Sequence, residues 1–90
     1  MSEIVSAKAG NRDPKLLVEF DGRVLELWSS PSNRYLATQL HLQKRKDDKD
    51  GGVTVFLMSS GGRLELYFAP DELANMEALL AALTAAGMQQ

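Results

Sequence analysis

Ninety residues with ten Lys and Arg against twelve Asp and Glu carry a formal net charge of −2 and no cysteine. A chain of that size holds one domain with a modest core, and the absence of cysteine excludes disulfide frameworks, thiolate metal sites and thiol nucleophiles. Nothing approaches the ~18 consecutive apolar residues of a membrane-spanning helix, and a mildly acidic chain is a poor general partner for nucleic acid, whose affinity comes from accumulated Lys and Arg.

Residues 1–13 are polar and weakly patterned, and read as an N-terminal tail or an edge strand seeded by Ile4 and Val5. They contain no apolar stretch of the kind that marks a secretory signal, which points to a cytoplasmic protein. Residues 14–87 read as a single α+β domain. Its clearest local signal is Lys15–Trp28, where two apolar-rich runs flank Asp21-Gly22. A two-residue Asp-Gly turn sets Phe20 opposite Arg23, Val18 opposite Leu25 and Leu16 opposite Leu27. Leu16, Val18, Phe20, Leu25 and Leu27 then share the core face, while Lys15, Leu17, Glu19, Val24, Glu26 and Trp28 share the other. After a Ser/Pro/Asn loop at 29–33, residues 35–44 alternate as one half-buried strand, with Leu36, Thr38, Leu40 and Leu42 on one face. Residues 44–52 (KRKDDKDGG) read as a charged loop. A second hairpin joins 53–59 to 63–69 through Ser60-Gly61 or Gly61-Gly62. Either turn leaves Val53, Val55, Leu57, Leu64, Leu66 and Phe68 on one face and Thr54, Phe56, Met58, Glu65 and Tyr67 on the other.

Pro70 suits the first position of a helix, and Asp71 and Glu72 place negative charge at its positive end. Leu73, Met76, Leu80 and Leu83, with Leu79 alongside, form an apolar stripe that must pack on the strands. Gly87 supplies the stop, and 88–90 read as a frayed tail. The fold class is therefore α+β: an antiparallel β-meander of five to seven strands closed by one C-terminal amphipathic helix.

That element order, and the passage Tyr67-Phe68-Ala69-Pro70-Asp71-Glu72 leading into Met76-Glu77-Ala78-Leu79-Leu80, resembles the end of pleckstrin-homology-like domains. There an aromatic strand end, a small residue and acidic residues precede a helix that plugs a curved β-structure. The resemblance implies a PH-like barrel or sandwich of the small bacterial type. The alternative is a simpler helix-on-sheet domain. Phosphoinositide-binding members use basic residues on the first two strands and a long loop between them. Here that region holds only Lys15, the short Asp21-Gly22 turn and Arg23.

The residues speak against an enzyme, and no catalytic residue, metal ligand or cofactor is expected. His41 is the sole imidazole, on the polar face of a strand, with no nucleophile or orienting carboxylate signalled beside it. Asp47, Asp48 and Asp50 lack calcium-loop spacing and lie among Lys44, Arg45, Lys46 and Lys49. Neither glycine pair opens a helix or carries the Lys-Ser/Thr ending of a phosphate loop.

Two surfaces remain. Trp28, Phe56, Met58 and Tyr67 are large residues of the parity opposite the core. They are the candidate contact surface of a binding module whose partner is another protein or a second copy, as in a homodimer. Arg34, Lys44, Arg45, Lys46 and Lys49 form the alternative, a site for an anionic ligand or lipid headgroup, with weak contact to an anionic membrane. Leu64–Gln90 carries four carboxylates and no Lys or Arg, so the rest of the chain is net positive.

Overall fold

In the computed structural model, which describes residues 4–10, 15–28 and 33–89, the alternating segments form two antiparallel sheets. The first has the order β1-β2-β3-β4, with β1 at Val5–Ala9, β2 at Leu16–Phe20, β3 at Val24–Trp28 and β4 at Asn33–Leu36. The second has the order β5-β6-β7, with β5 at His41–Asp47, β6 at Val53–Ser59 and β7 at Gly62–Phe68. A 3₁₀ turn at Pro70–Glu72 leads into α1, Leu73–Ala85. The fold is thus α+β, with seven strands among the described residues. The sheets are not closed into a barrel and are compatible with a sandwich.

Most of the core is the set predicted from alternation, joined by Ala7, Ala9, Ala37 and Met88. Val18, Phe20, Leu25 and Leu27 from the first sheet meet Val55, Leu57, Leu66 and Phe68 from the second, with Met76, Leu79, Leu80 and Leu83 of α1. Each fully buried side chain of this size stabilises the fold by roughly 1.5–3 kcal/mol. The helix lies against β1 and β2. Small side chains at Ala7 and Ala9, both 2% exposed, are what let it approach that edge. Beyond them the Gly10 N–H donates to the Tyr67 carbonyl at 2.7 Å, drawing the end of β1 toward β7.

Four local expectations are corrected. The first hairpin pairs Phe20 with Leu25 and Val18 with Leu27, two residues away from the predicted register. The face assignments survive because a shift of two preserves parity. Its cause is Asp21: the Oδ1 accepts from the Arg23 and Val24 N–H groups at 2.9 and 2.8 Å. That moves the tight turn onto Gly22-Arg23, with Gly22 at a φ of +100°, as glycine at the first turn position allows.

Residues 35–44 are not one strand. A 3₁₀ turn at Ala37–Gln39 breaks the run where the chain passes from the first sheet to the second, and buries Ala37, expected to face outward, to 2%. The charged segment is strand as far as Asp47, with a bulge between Leu42 and Lys44. The actual turn is 48–52, closed by the Asp48 N–H donating to the Gly52 carbonyl at 2.9 Å.

The C-terminus does not fray at Met88. The Met88 and Gly87 N–H groups donate to Leu83 and Thr84 carbonyls at 3.0 and 3.1 Å, with Gly87 at a φ of +117°. This is the double bond pattern of a Schellman stop, and it folds Met88 into the core at 4% exposure. Gln89 then exchanges hydrogen bonds with Leu40 and Leu42, covering the start of edge strand β5. Of the N-terminal alternatives, residues 5–9 form the edge strand. Residues 1–3, 11–14, 29–32 and 90 lie outside the described residues.

Candidate functional site

The four predicted contact residues do not form one patch. Trp28 ends β3 on the outer face of the first sheet, while Phe56, Met58 and Tyr67 lie on the outer face of the second. On that second face the register makes three rows: His41, Met58 and Arg63; Lys44, Phe56 and Glu65; Lys46, Thr54 and Tyr67. Phe56 is only 9% exposed, because long cations from both flanking strands cover it. Lys44 Nζ lies 5.0 Å and Arg63 Cζ 5.5 Å from its ring centroid, within cation–π range. Tyr67 is half-buried and its hydroxyl donates to Asp50. That bond, followed by one from the Gly52 N–H, holds the Asp50 carboxyl below its usual range. The same partner pushes the Tyr67 phenol up to about 12. Met58 is half-buried between His41 and Arg63.

The basic set is likewise divided. Lys44 and Lys46 point from the outer face of β5, but Arg45 points the other way and pairs with Glu77 of α1 at 2.9 Å. Arg34 sits on β4 of the other sheet, paired with Glu26 at 3.3 Å, and Lys49 lies in the 48–52 turn. The expected basic loop is therefore a strand edge. The residue missing from the basic set is Arg63, whose parity with Glu65 and Tyr67 was available in the sequence.

A second arrangement was not foreseen. Among the described residues, the exposed large hydrophobics are Ile4 at 63% and Trp28 at 48%. Both line a shallow concavity of about 310 Å³ on the outer face of the first sheet, together with Glu19, Asp21, Val24, Glu26 and Arg34. Glu19 and Glu26 are directly opposed across β2 and β3, a like-charge pair that destabilises a sheet. The Asp21 carboxyl at its margin is held below its usual range by the N–H groups of Val24 and then Arg23, so it stays ionised. The signal for this site lay in the sequence: Glu19, Val24, Glu26 and Trp28 share one outer parity.

Among the described residues, no group of three or more His, Asp or Glu is placed to hold a metal ion. Asp48 accepts from the Thr54 hydroxyl at 2.8 Å, and Asp50 is engaged by Tyr67 and Gly52. No described helix is long and apolar enough to cross a membrane. Comparison with family models, curated proteins and solved structures gives no match.

Proposed function

We propose that this domain is a non-catalytic interaction module whose contact surface is the outer face of the first sheet around Trp28. One observation carries the reading. An exposed Trp28 and Ile4 frame the like-charged pair Glu19 and Glu26, the latter held by Arg34, and none of the four residues belongs to the buried core. Departures from local design rules of that kind concentrate at functional sites, and tryptophan is a favoured interface anchor. The partner is a protein surface that sets a basic side chain beside an apolar one. Four strands, then three, then a C-terminal helix support placing the module in the pleckstrin-homology-like superfold.

Selection of displayed peptides tests this reading. Sequences that interleave Lys or Arg with apolar residues should be enriched on the native domain. They should be lost on Trp28→Glu at unchanged melting temperature. Enrichment that survives Trp28→Glu, or that favours acidic peptides, overturns it. A second reading is favoured by the placement of Lys44, Lys46 and Arg63 on one face of the other sheet. In it the domain weakly contacts an anionic surface there. Binding to vesicles of anionic lipid at low salt, lost with Lys44→Glu, is its test.

A further inference from the structure

We infer that Asp21-Gly22 is a site of spontaneous isoaspartate formation, and that the fold closes the chain's second Asp-Gly step, Asp50-Gly51, to the same reaction through the Tyr67 hydroxyl. These are the two Asp-Gly steps of the sequence, which has no Asn-Gly. Asp-Gly favours this chemistry because glycine has no side chain to shield its nitrogen or restrict its backbone. The glycine nitrogen attacks the aspartate Cγ. A C–N bond forms, the Cγ–OH bond breaks, and the hydroxyl leaves with the nitrogen's proton as water. The resulting five-membered imide takes up one water at either carbonyl. One opening restores aspartate; the other leaves the main chain running through Cγ, one methylene longer. Closure needs the carboxyl carbon to swing onto the glycine nitrogen. It is faster for a neutral carboxyl, which loses water more readily than a carboxylate does.

Both steps are exposed, so access to solvent does not separate them. How their reacting atoms are held does. At Asp50 both carboxylate oxygens are engaged: Oδ1 accepts from the Gly52 N–H at 2.9 Å and Oδ2 from the Tyr67 hydroxyl. The nucleophile is tied as well, since the Gly51 N–H donates to the Asp48 carbonyl at 3.0 Å. Tyr67 belongs to β7, so this carboxyl is anchored to a strand outside its own turn. At Asp21 a single oxygen, Oδ1, takes the N–H groups of Arg23 and Val24 at 2.9 and 2.8 Å. Neither Oδ2 nor the Gly22 N–H has a hydrogen-bond partner among the described residues. Local opening of that one turn therefore frees every reacting atom. The position gives the reaction a consequence. Asp21 Oδ1 sets the β2–β3 turn, and the residue lines the concavity around Trp28. Isoaspartate lengthens the turn and moves the carboxylate off it, so the Arg23 and Val24 N–H groups lose their acceptor and the hairpin loses what fixes its register.

Incubation of the whole chain for several weeks near neutral pH, then digestion and mass spectrometry with methyl transfer by an isoaspartate methyltransferase, reads both positions. The same chain unfolded in guanidinium chloride gives the reference rates. Folding should slow the reaction at Asp50 by about tenfold more than at Asp21, the worth of one hydrogen bond to a charged group. Tyr67→Phe removes that bond, and should raise the rate at Asp50 by about tenfold while leaving the rate at Asp21 unchanged. A general loosening of the fold would raise both. If Tyr67→Phe fails to fold, the comparison of native with unfolded chain decides alone. Isoaspartate at Asp50 equal to or above that at Asp21 in the native chain overturns the inference. So does a folded Tyr67→Phe whose rate at Asp50 is unchanged, or rises only together with that at Asp21. The inference is independent of the interaction-module reading, which the peptide selection decides.

Discussion

Gly52→Ala should lower the melting temperature by about 5–15 °C, and the size follows from the contacts. Gly52 sits between the 48–52 turn and β6, alongside the end of β7. A Cβ there would stand 2.6 Å from Tyr67 Oη, 2.8 Å from Tyr67 Cε1 and 2.7 Å from the Phe68 carbonyl oxygen, where ordinary contact begins at 3.4 Å. The carbonyl cannot rotate aside, because Phe68 is paired with Val53, the residue next to Gly52. The tyrosine ring is tethered through its hydroxyl to Asp50. Overpacking of this kind costs about 1–3 kcal/mol. Alanine's smaller conformational freedom in the unfolded chain offsets about 0.4–1 kcal/mol of that. The remainder is about 1–2 kcal/mol, at about 4–8 °C per kcal/mol for a domain of this length. Thermal and urea denaturation followed by circular dichroism give the measurement. Gly61→Ala is the control, because a Cβ at Gly61 meets nothing within 4 Å, and it should be neutral or slightly stabilising. In a Tyr67→Ala background the Gly52 substitution should cost less but not vanish, since the carbonyl contact remains. Equal melting temperatures for Gly52→Ala and Gly61→Ala would refute the reasoning.

Two further outcomes are expected. Glu72 Oε1 accepts the Lys8 backbone N–H at 2.7 Å, so Glu72→Ala should cost about 1 kcal/mol and speed hydrogen exchange at Lys8, while Glu72→Gln should keep most of the protection; unchanged exchange in Glu72→Ala would count against an edge cap. Asp50 is held below 3.8 and Tyr67 is raised from 10.0 to about 12. The stabilisation lost in Tyr67→Phe should therefore be whole between about pH 5 and 9, shrink as pH falls through the lowered carboxyl pKa, and shrink again as pH rises from 10 toward 12. A stability difference that widens above pH 10 would contradict the assignment.

Alternation by two and the Pro70-Asp71-Glu72 start were enough to read the hairpin faces, the helix and most of the core from sequence, but not Ala7, Ala9, Ala37 or Met88. Both hairpins tolerated uncertainty in the turn because the rival registers differ by two residues and leave every side chain on its face. The run 35–44 had no such protection. A strand and a strand broken by a 3₁₀ turn present similar alternation there. What decides between them is the passage of the chain from one sheet to the other, closed by the Ala37 N–H donating to the Arg23 carbonyl at 3.0 Å. That partner is distant in sequence and invisible to a local pattern. Met88 escaped for a similar reason: its burial follows from the turn at Gly87, whose direction depends on β5 being there to receive Gln89.

Parity identifies the face of a strand residue, but exposure depends on its neighbours across the sheet. Trp28 and Phe56 have the same outward parity, yet one is 48% and the other 9% exposed. Phe56 lies on the central strand of its sheet, and long side chains of β5 and β7 bend over it with their charges still in water, as Lys and Arg commonly do. Trp28 stands at the end of β3, where its pair on β2 is the apolar Leu17. Cations gather over Phe56 on the second outer face, where Glu65 shares its row and the carboxylates of Asp48 and Asp50 bind Thr54 and Tyr67, whereas Glu19 and Glu26 stand opposed on β2 and β3 of the first. Outward parity therefore fixes the face of an apolar residue but not its exposure: cations from both flanking strands close over Phe56, whereas Trp28, at a strand end near Arg34 of β4, stays half exposed.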